Sequence, residues 1–193
     1  MSSRLVVNSV RHTGASADAI TMDASGNVTF PGNATCSGTP SGFGKILQVA
    51  QTFKQDTQSI TSGSSDYVLI NGLGTTMTLS NASNKILINL SISFAQSANN
   101  YAAFRLYDGS SAITAAQSTG AGGYDTSIIR YVDTEMANSY LGFSFSYLYA
   151  PGDTNAHTIN LYGNPFNTTL YINRSNNTQY YSTSSMTLME VAA

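Results

Sequence analysis

Charge is what this chain has least of. Asp, Glu, Lys and Arg make up 9% of its 193 residues, against roughly 25% in ordinary soluble proteins. Ten acids against eight bases leave a net charge of −2. No positive field exists to draw a polyanion, so no nucleic-acid partner is expected. Tryptophan is absent, and Cys36 is the single cysteine, which excludes an intrachain disulfide. No apolar run approaches the ~20 residues of a membrane helix, so no membrane insertion is expected. The opening MSSRLVVNSVRH also lacks the apolar stretch of a secretory leader.

Reactive side chains are equally sparse. The histidines are His12 and His157, and a Ser-His-Asp relay would have to be built on the second. No Gly-x-Ser-x-Gly elbow supports it. Asp125, Asp133 and Glu135 could supply a carboxylate pair, but loop acids are more simply solvated charges. His-x-His, cysteine pairs and calcium-loop spacings are missing, so neither metal nor cofactor is expected. Gly120-Ala121-Gly122-Gly123 lacks the Lys-Ser/Thr and helix of a phosphate cradle. The Asn-x-Ser/Thr triplets at Asn27, Asn81 and elsewhere follow from composition. No enzyme is expected.

What the chain does have is alternation. In Lys85 to Ala95 the residues Ile86, Ile88, Leu90, Ile92 and Phe94 share one face, with Asn89, Ser91 and Ser93 opposite. Tyr140 to Tyr149 repeats the pattern with Leu141, Phe143, Phe145, Tyr147 and Tyr149. Shorter versions lie at Ile46–Phe53, Tyr67–Ile70, Met77–Ser80, Ala102–Tyr107, Ser127–Val132, Thr158–Tyr162, Thr169–Asn173 and Ser185–Val191. Roughly ten short strands without intervening helices predict an all-β, antiparallel, jelly-roll-like β-sandwich head over 45–193.

Residues 1–44 read differently. Ile20 and Met22 alternate, Ser25-Gly26-Asn27 turns, Val28 and Phe30 resume, and Pro31-Gly32-Asn33 stops the pattern. Two such strands have no surface on which to bury an apolar face. The segment is therefore either disordered or buried by other copies of the chain, and the second reading, an extended intertwined stalk, is the one consistent with the rest of the sequence. Leu5, Val6, Val7 and Val10 are its candidates for attachment to a larger particle.

Two features point to surfaces. The last strand, MTLMEVA, is apolar on both sides, which predicts a subunit interface through Met186, Leu188, Met189, Glu190 and Val191. Glu190 there needs a partner, and Arg105 or Arg174 could form a subunit-bridging ion pair with it. Twelve tyrosines are the second feature. Tyr147, Tyr149 and Tyr171 are expected to fill the sandwich with hydroxyls at its rim. Tyr124 with Asp125, and Asn176 and Asn177 with Tyr180 and Tyr181, sit in loops where aromatic faces and amides suit sugar rings.

Together the segments resemble a known family. DAITMDASGNVTFPGN is similar to the linker ahead of phage fibre tips. TLYINRS and TSSMTLMEVAA, with KILINLSISF, resemble the C-terminal domain of tail fibres from cyanophages and other marine phages. The resemblance spans 18–39 and roughly 46–193. It implies a virion protein made in the host cytoplasm: a homotrimeric tail or baseplate fibre binding a host surface receptor. The expected partners are other copies of the chain, a baseplate, tail or capsid protein through the N-terminal segment, and a host surface glycan. The alternative is a capsid or baseplate decoration protein that binds only other virion proteins.

Overall fold

A computed structural model describes residues 7–31, 46–63, 66–118, 128–132 (backbone from 129), 140–177 and 180–193. The chain divides into two compact units, Met1–Phe43 and Gly44–Ala193. Of the attachment candidates, Leu5 and Val6 lie outside the described residues, as do Tyr124 and Asp125.

The first unit is a small antiparallel sheet of β1 (Ser9–Val10), β2 (Ile20–Met22) and β3 (Val28–Thr29). β1 is a strand the alternation does not reveal, pairing Val10 with Ile20. The turn between β2 and β3 is built by Asp23, whose Oδ1 accepts from the amides of Ser25 and Asn27, both at 2.9 Å. Gly26 takes the left-handed φ of 86° that this turn requires. None of the described residues of this unit is buried, and Val10, Val28 and Phe30 are exposed.

The second unit is all-β, with two antiparallel sheets around one apolar core. One sheet contains β4 (Ile46–Lys54), β5 (Gln58–Thr61), β7 (Lys85–Gln96), β11 (Leu141–Tyr149), β13 (Thr169–Ile172) and β14 (Ser184–Val191). β14 and β13 follow one another along one edge of β7, and β11 lines the other edge. β4 and β5 lie outside β14 and β13. The other sheet is β10 (Ile129–Val132), β8 (Tyr101–Asp108), β12 (Ala156–Asn164) and β6 (Val68–Thr78), with β9 (Ser111–Ala112) on β8. Phe94 and Phe104, from opposite sheets, meet edge-on at 5.0 Å between ring centroids, and Phe143 joins them.

The two strands expected at Tyr67–Ile70 and Met77–Ser80 are one strand, β6, interrupted by a bulge. Ile70 is buried, and then Leu73, Thr75 and Met77 are buried, so the inward phase changes between 70 and 73. Five steps along β6, from Leu69 to Gly74, face two along β12, from Tyr162 to Asn160, so three extra residues bulge here, with Gly72 at φ 73° within the bulge. Backbone groups of β6 are met by side chains of β4 and β5. Gln48 donates to the carbonyl of Thr78, Thr52 to that of Gly74 and Gln58 to that of Leu69, while the Asn71 amide donates to Gln58 Oε1. This seam joins the two sheets along one side. Gly72→Ala forces an L side chain into the left-handed region and is expected to cost about 1–2 kcal/mol, measured as a shift in the urea midpoint at unchanged slope.

β14 is an interior strand, and this corrects the reading of its residues. Met186 and Leu188 are fully buried within their own chain, and Glu190 is 1% exposed. Only Met189 and Val191 look outward. Glu190 meets no arginine: Ser80 donates through its amide and hydroxyl (both 2.7 Å), and Asn84 and Gln48 through their side-chain amides (both 2.6 Å). The expected subunit-bridging ion pair is replaced by a hub of neutral donors within one chain. Burial pushes the Glu190 carboxyl up, but the bonds from Ser80, Asn84 and Gln48 outweigh it and hold it below its ordinary value.

Candidate functional site

Among the described residues of the second unit, the segment from Asn173 to Ser184 carries the most exposed aromatic rings. It leaves β13 through Asn173, which takes a φ of 59°, tolerable for asparagine and costly for most L residues. The Asn173 amide is completely buried. Its Nδ2 donates to the carbonyls of Lys54 (2.7 Å) and Asp56 (3.0 Å), and its Oδ1 accepts from Ser184 Oγ at 2.6 Å. One side chain thus ties the start of the loop to its end and to the β4–β5 turn.

The loop closes on itself. The Ser182 amide donates to the Asn173 carbonyl at 3.1 Å, the Ser175 amide to the Tyr180 carbonyl at 3.0 Å, and Arg174 and Tyr181 form an antiparallel bridge. Ser175, itself buried, donates through Oγ to Asn177 Oδ1 at 2.6 Å and accepts the Tyr180 amide at 3.2 Å. On this frame Tyr180 is 62% and Tyr181 66% exposed. Asn177 is exposed and Asn176 half-buried. The structure therefore brings the four described loop candidates together on one turn.

Beneath them lies Tyr171, which corrects its assignment to the interior. Leu170 and Ile172 point inward, whereas Tyr171 faces out. The Arg174 guanidinium lies over its ring at 3.9 Å and donates to Ser59 Oγ and the Ser175 carbonyl. Lys54, 1% exposed, donates to Asp56 at 2.9 Å below the turn. That bond, ahead of the charge itself, holds the Asp56 carboxyl below its usual range. β4 runs from Ile46 to Lys54, so the tyrosine turn sits at the opposite end of the sandwich from Ile46. Asn173 was not singled out as a site residue; its sequence signal is an Asn directly after a strand and before a polar loop.

His157 occupies the other end of the sandwich. It is buried, with Nδ1 2.6 Å from Asp108 Oδ2 and Nε2 3.1 Å from Asp153 Oδ1. Tyr149 donates its hydroxyl to the same Asp108 oxygen at 3.0 Å, and its pKa is pushed up to about 12, first by burial and then by that bond. Both histidine nitrogens therefore face carboxylates, and the cluster ties β8 and β12 to β11 across the sheets. Asp133 and Glu135 lie outside the described residues. Among the described residues no group of three or more His, Cys, Asp or Glu is placed to hold a metal. No helix among them is long and apolar enough to cross a membrane.

A second surface crosses the outer face of the larger sheet. Val49, Met189, Leu87 and Leu148 are register neighbours in β4, β14, β7 and β11. They form an apolar row, with Val49 59% and Leu148 45% exposed. The next row is Gln51, Thr187, Asn89 and Ser146, joined in pairs by 2.7 Å bonds. No protein-family model matches this chain, and no curated protein matches it in sequence.

Proposed function

We propose that the chain is a structural fibre protein of a phage, a homotrimeric adhesin whose sandwich head binds host-surface glycan through the Asn173–Ser184 turn. The observation that carries this reading is the pairing of a first unit in which none of the described residues is buried with a cored sandwich that presents exposed tyrosines. Short strands that bury nothing within one chain need other chains to bury them. The expected virion attachment belongs to that segment, with Val7 and Val10 its described candidates. Val49, Met189, Leu87 and Leu148, rather than the inward side of β14, supply the head's apolar contact with neighbouring copies. Three identical turns on one assembly would gain avidity from individually weak sugar contacts.

Two measurements test the reading. Light scattering on the full chain is expected to give a trimeric mass; a monomer overturns it. Tyr180→Ala with Tyr181→Ala is expected to cut host-cell binding by about ten-fold or more while leaving mass and melting temperature within error, since base- or sugar-stacking rings contribute on the order of 1–3 kcal/mol each. The row on the larger sheet also fits the alternative, a decoration protein. A head starting at Lys45 that binds virion particles but not host cells would favour that role.

A further inference from the structure

The sequence contains a single Asn-Gly pair, Asn71-Gly72, and the fold sets it in the bulge of β6. Both residues are exposed. None of the residues from Ile70 to Leu73 has a register partner in β12, because the pairing passes from Leu69 to Gly74. The Asn71 backbone is nevertheless held, since its amide donates to Gln58 Oε1 at 2.8 Å. Its side-chain carboxamide, by contrast, has no hydrogen-bond partner among the described residues. Gly72, at φ 73°, has no Cβ to crowd its main-chain nitrogen. An asparagine carboxamide free to turn thus sits next to an uncrowded glycine nitrogen, outside the ladder.

Asp108-Gly109 is the other pair in the chain with this chemistry, and the fold treats it in the opposite way. Asp108 Oδ2 lies 2.6 Å from His157 Nδ1 and accepts the Tyr149 hydroxyl at 3.0 Å. The Gly109 amide donates to the Thr158 carbonyl at 2.8 Å. Both groups that would have to meet are therefore engaged elsewhere.

We propose that Asn71-Gly72 is a self-modifying site, at which the chain converts asparagine to aspartate and isoaspartate without an enzyme. The Gly72 nitrogen, having lost its proton to solvent hydroxide, attacks Asn71 Cγ. The N–Cγ bond forms, the Cγ–Nδ2 bond breaks, and ammonia leaves with a proton taken from water, closing a succinimide ring. Water then opens the ring at either carbonyl, giving aspartate or an isoaspartate whose main chain runs through Cγ. The sum is asparagine and water to a carboxylic acid and ammonia, with nothing oxidised or reduced. Holding nucleophile and carbonyl in one chain removes the entropy cost of an encounter. The extra main-chain carbon of isoaspartate falls where no register pairing with β12 is lost. The new carboxylate adds a negative charge to the side of the sandwich where β4 and β5 meet β6. This chemistry is independent of what the head binds.

Incubating the full-length protein at mildly alkaline pH in oxygen-18 water, followed by peptide mass mapping, tests the proposal, because each succinimide opened by water takes up a solvent oxygen. The peptide holding Asn71 is expected to label within about ten-fold of its rate in urea, since no opening of the fold need come first. The peptide holding Asp108 is expected to label more than about ten-fold more slowly folded than in urea. Asn71→Gln is expected to remove the label from its peptide, because glutamine must close a larger ring. Protection of Asn71 equal to that of Asp108, or a folded Asn71 peptide that stays unlabelled, overturns the proposal. The wild-type comparison of folded and unfolded protein decides the matter should Asn71→Gln fail to fold.

Discussion

Glu190→Ala is expected to destabilise the head by about 1–3 kcal/mol, because it takes the acceptor from a donor that the fold has already removed from water. A buried donor left unmatched costs about 1–3 kcal/mol, and the buried Asn84 amide loses its 2.6 Å bond to the carboxylate. Ser80 and Gln48, on exposed positions, rehydrate and add little. At about 2–4 °C per kcal/mol for a chain of this size, the melting temperature should fall by roughly 5 °C. The pH dependence carries a further signature. Because the folded carboxyl lies below its ordinary value of 4.5, its contribution is complete above that value and disappears as pH falls through the folded pKa. Urea unfolding between pH 7 and pH 3 should show the wild type losing stability at the acid end. Glu190→Gln should start less stable and lose less over the same window. An identical acid slope for both proteins removes Glu190 as the source. Arg105→Gln and Arg174→Gln should leave that slope unchanged, since neither side chain reaches the hub.

The second large effect is expected at Asn173, which touches no ligand in the proposed role. Asn173→Ala leaves the carbonyls of Lys54 and Asp56 and the hydroxyl of Ser184 without their partner. It also places alanine at a φ of 59°, at about 1–2 kcal/mol. A loss of about 3 kcal/mol in unfolding free energy follows, together with reduced cell binding comparable to the double tyrosine variant. Asn173→Gly separates the two causes. It relieves the backbone cost while removing the same bonds, so it should recover about 1 kcal/mol of stability and little of the binding. Full recovery of binding by the glycine variant would show that backbone freedom, and not the buried amide, positions Tyr180 and Tyr181.

The His157 cluster offers a contrast with both. The Asn155 amide, and beyond it the charge and hydrogen bond of His157, hold the Asp153 carboxyl below its usual range despite partial desolvation. Its side chain is 47% exposed, so solvent screening limits what this contact adds.

Period-two alternation determined the all-β class and most strand positions, because each strand buries one face against the opposing sheet. Ile86 to Phe94 and Leu141 to Tyr149 follow that rule, and β7 and β11 run where the alternation puts them. Alternation was blind wherever extra residues change the phase, as around Gly72 in β6. It also could not assign sides. MTLMEVA reads as doubly apolar, but only packing decides that Met186 and Leu188 face their own core while Met189 completes a row with Val49, Leu87 and Leu148. The same limit put Tyr171 inside, although it lies under Arg174 on the outer surface. Contacts between residues far apart in sequence were equally hidden: Glu190 lies over a hundred positions from Ser80 and Asn84, and Asn173 is as distant from Lys54. Local chemistry is written along the chain, since a strand's pattern and a turn's residues are neighbours there. Which buried polar group answers which, and which rings share a face, depends on strand order and register, and those are decided only when the sheets close on one core.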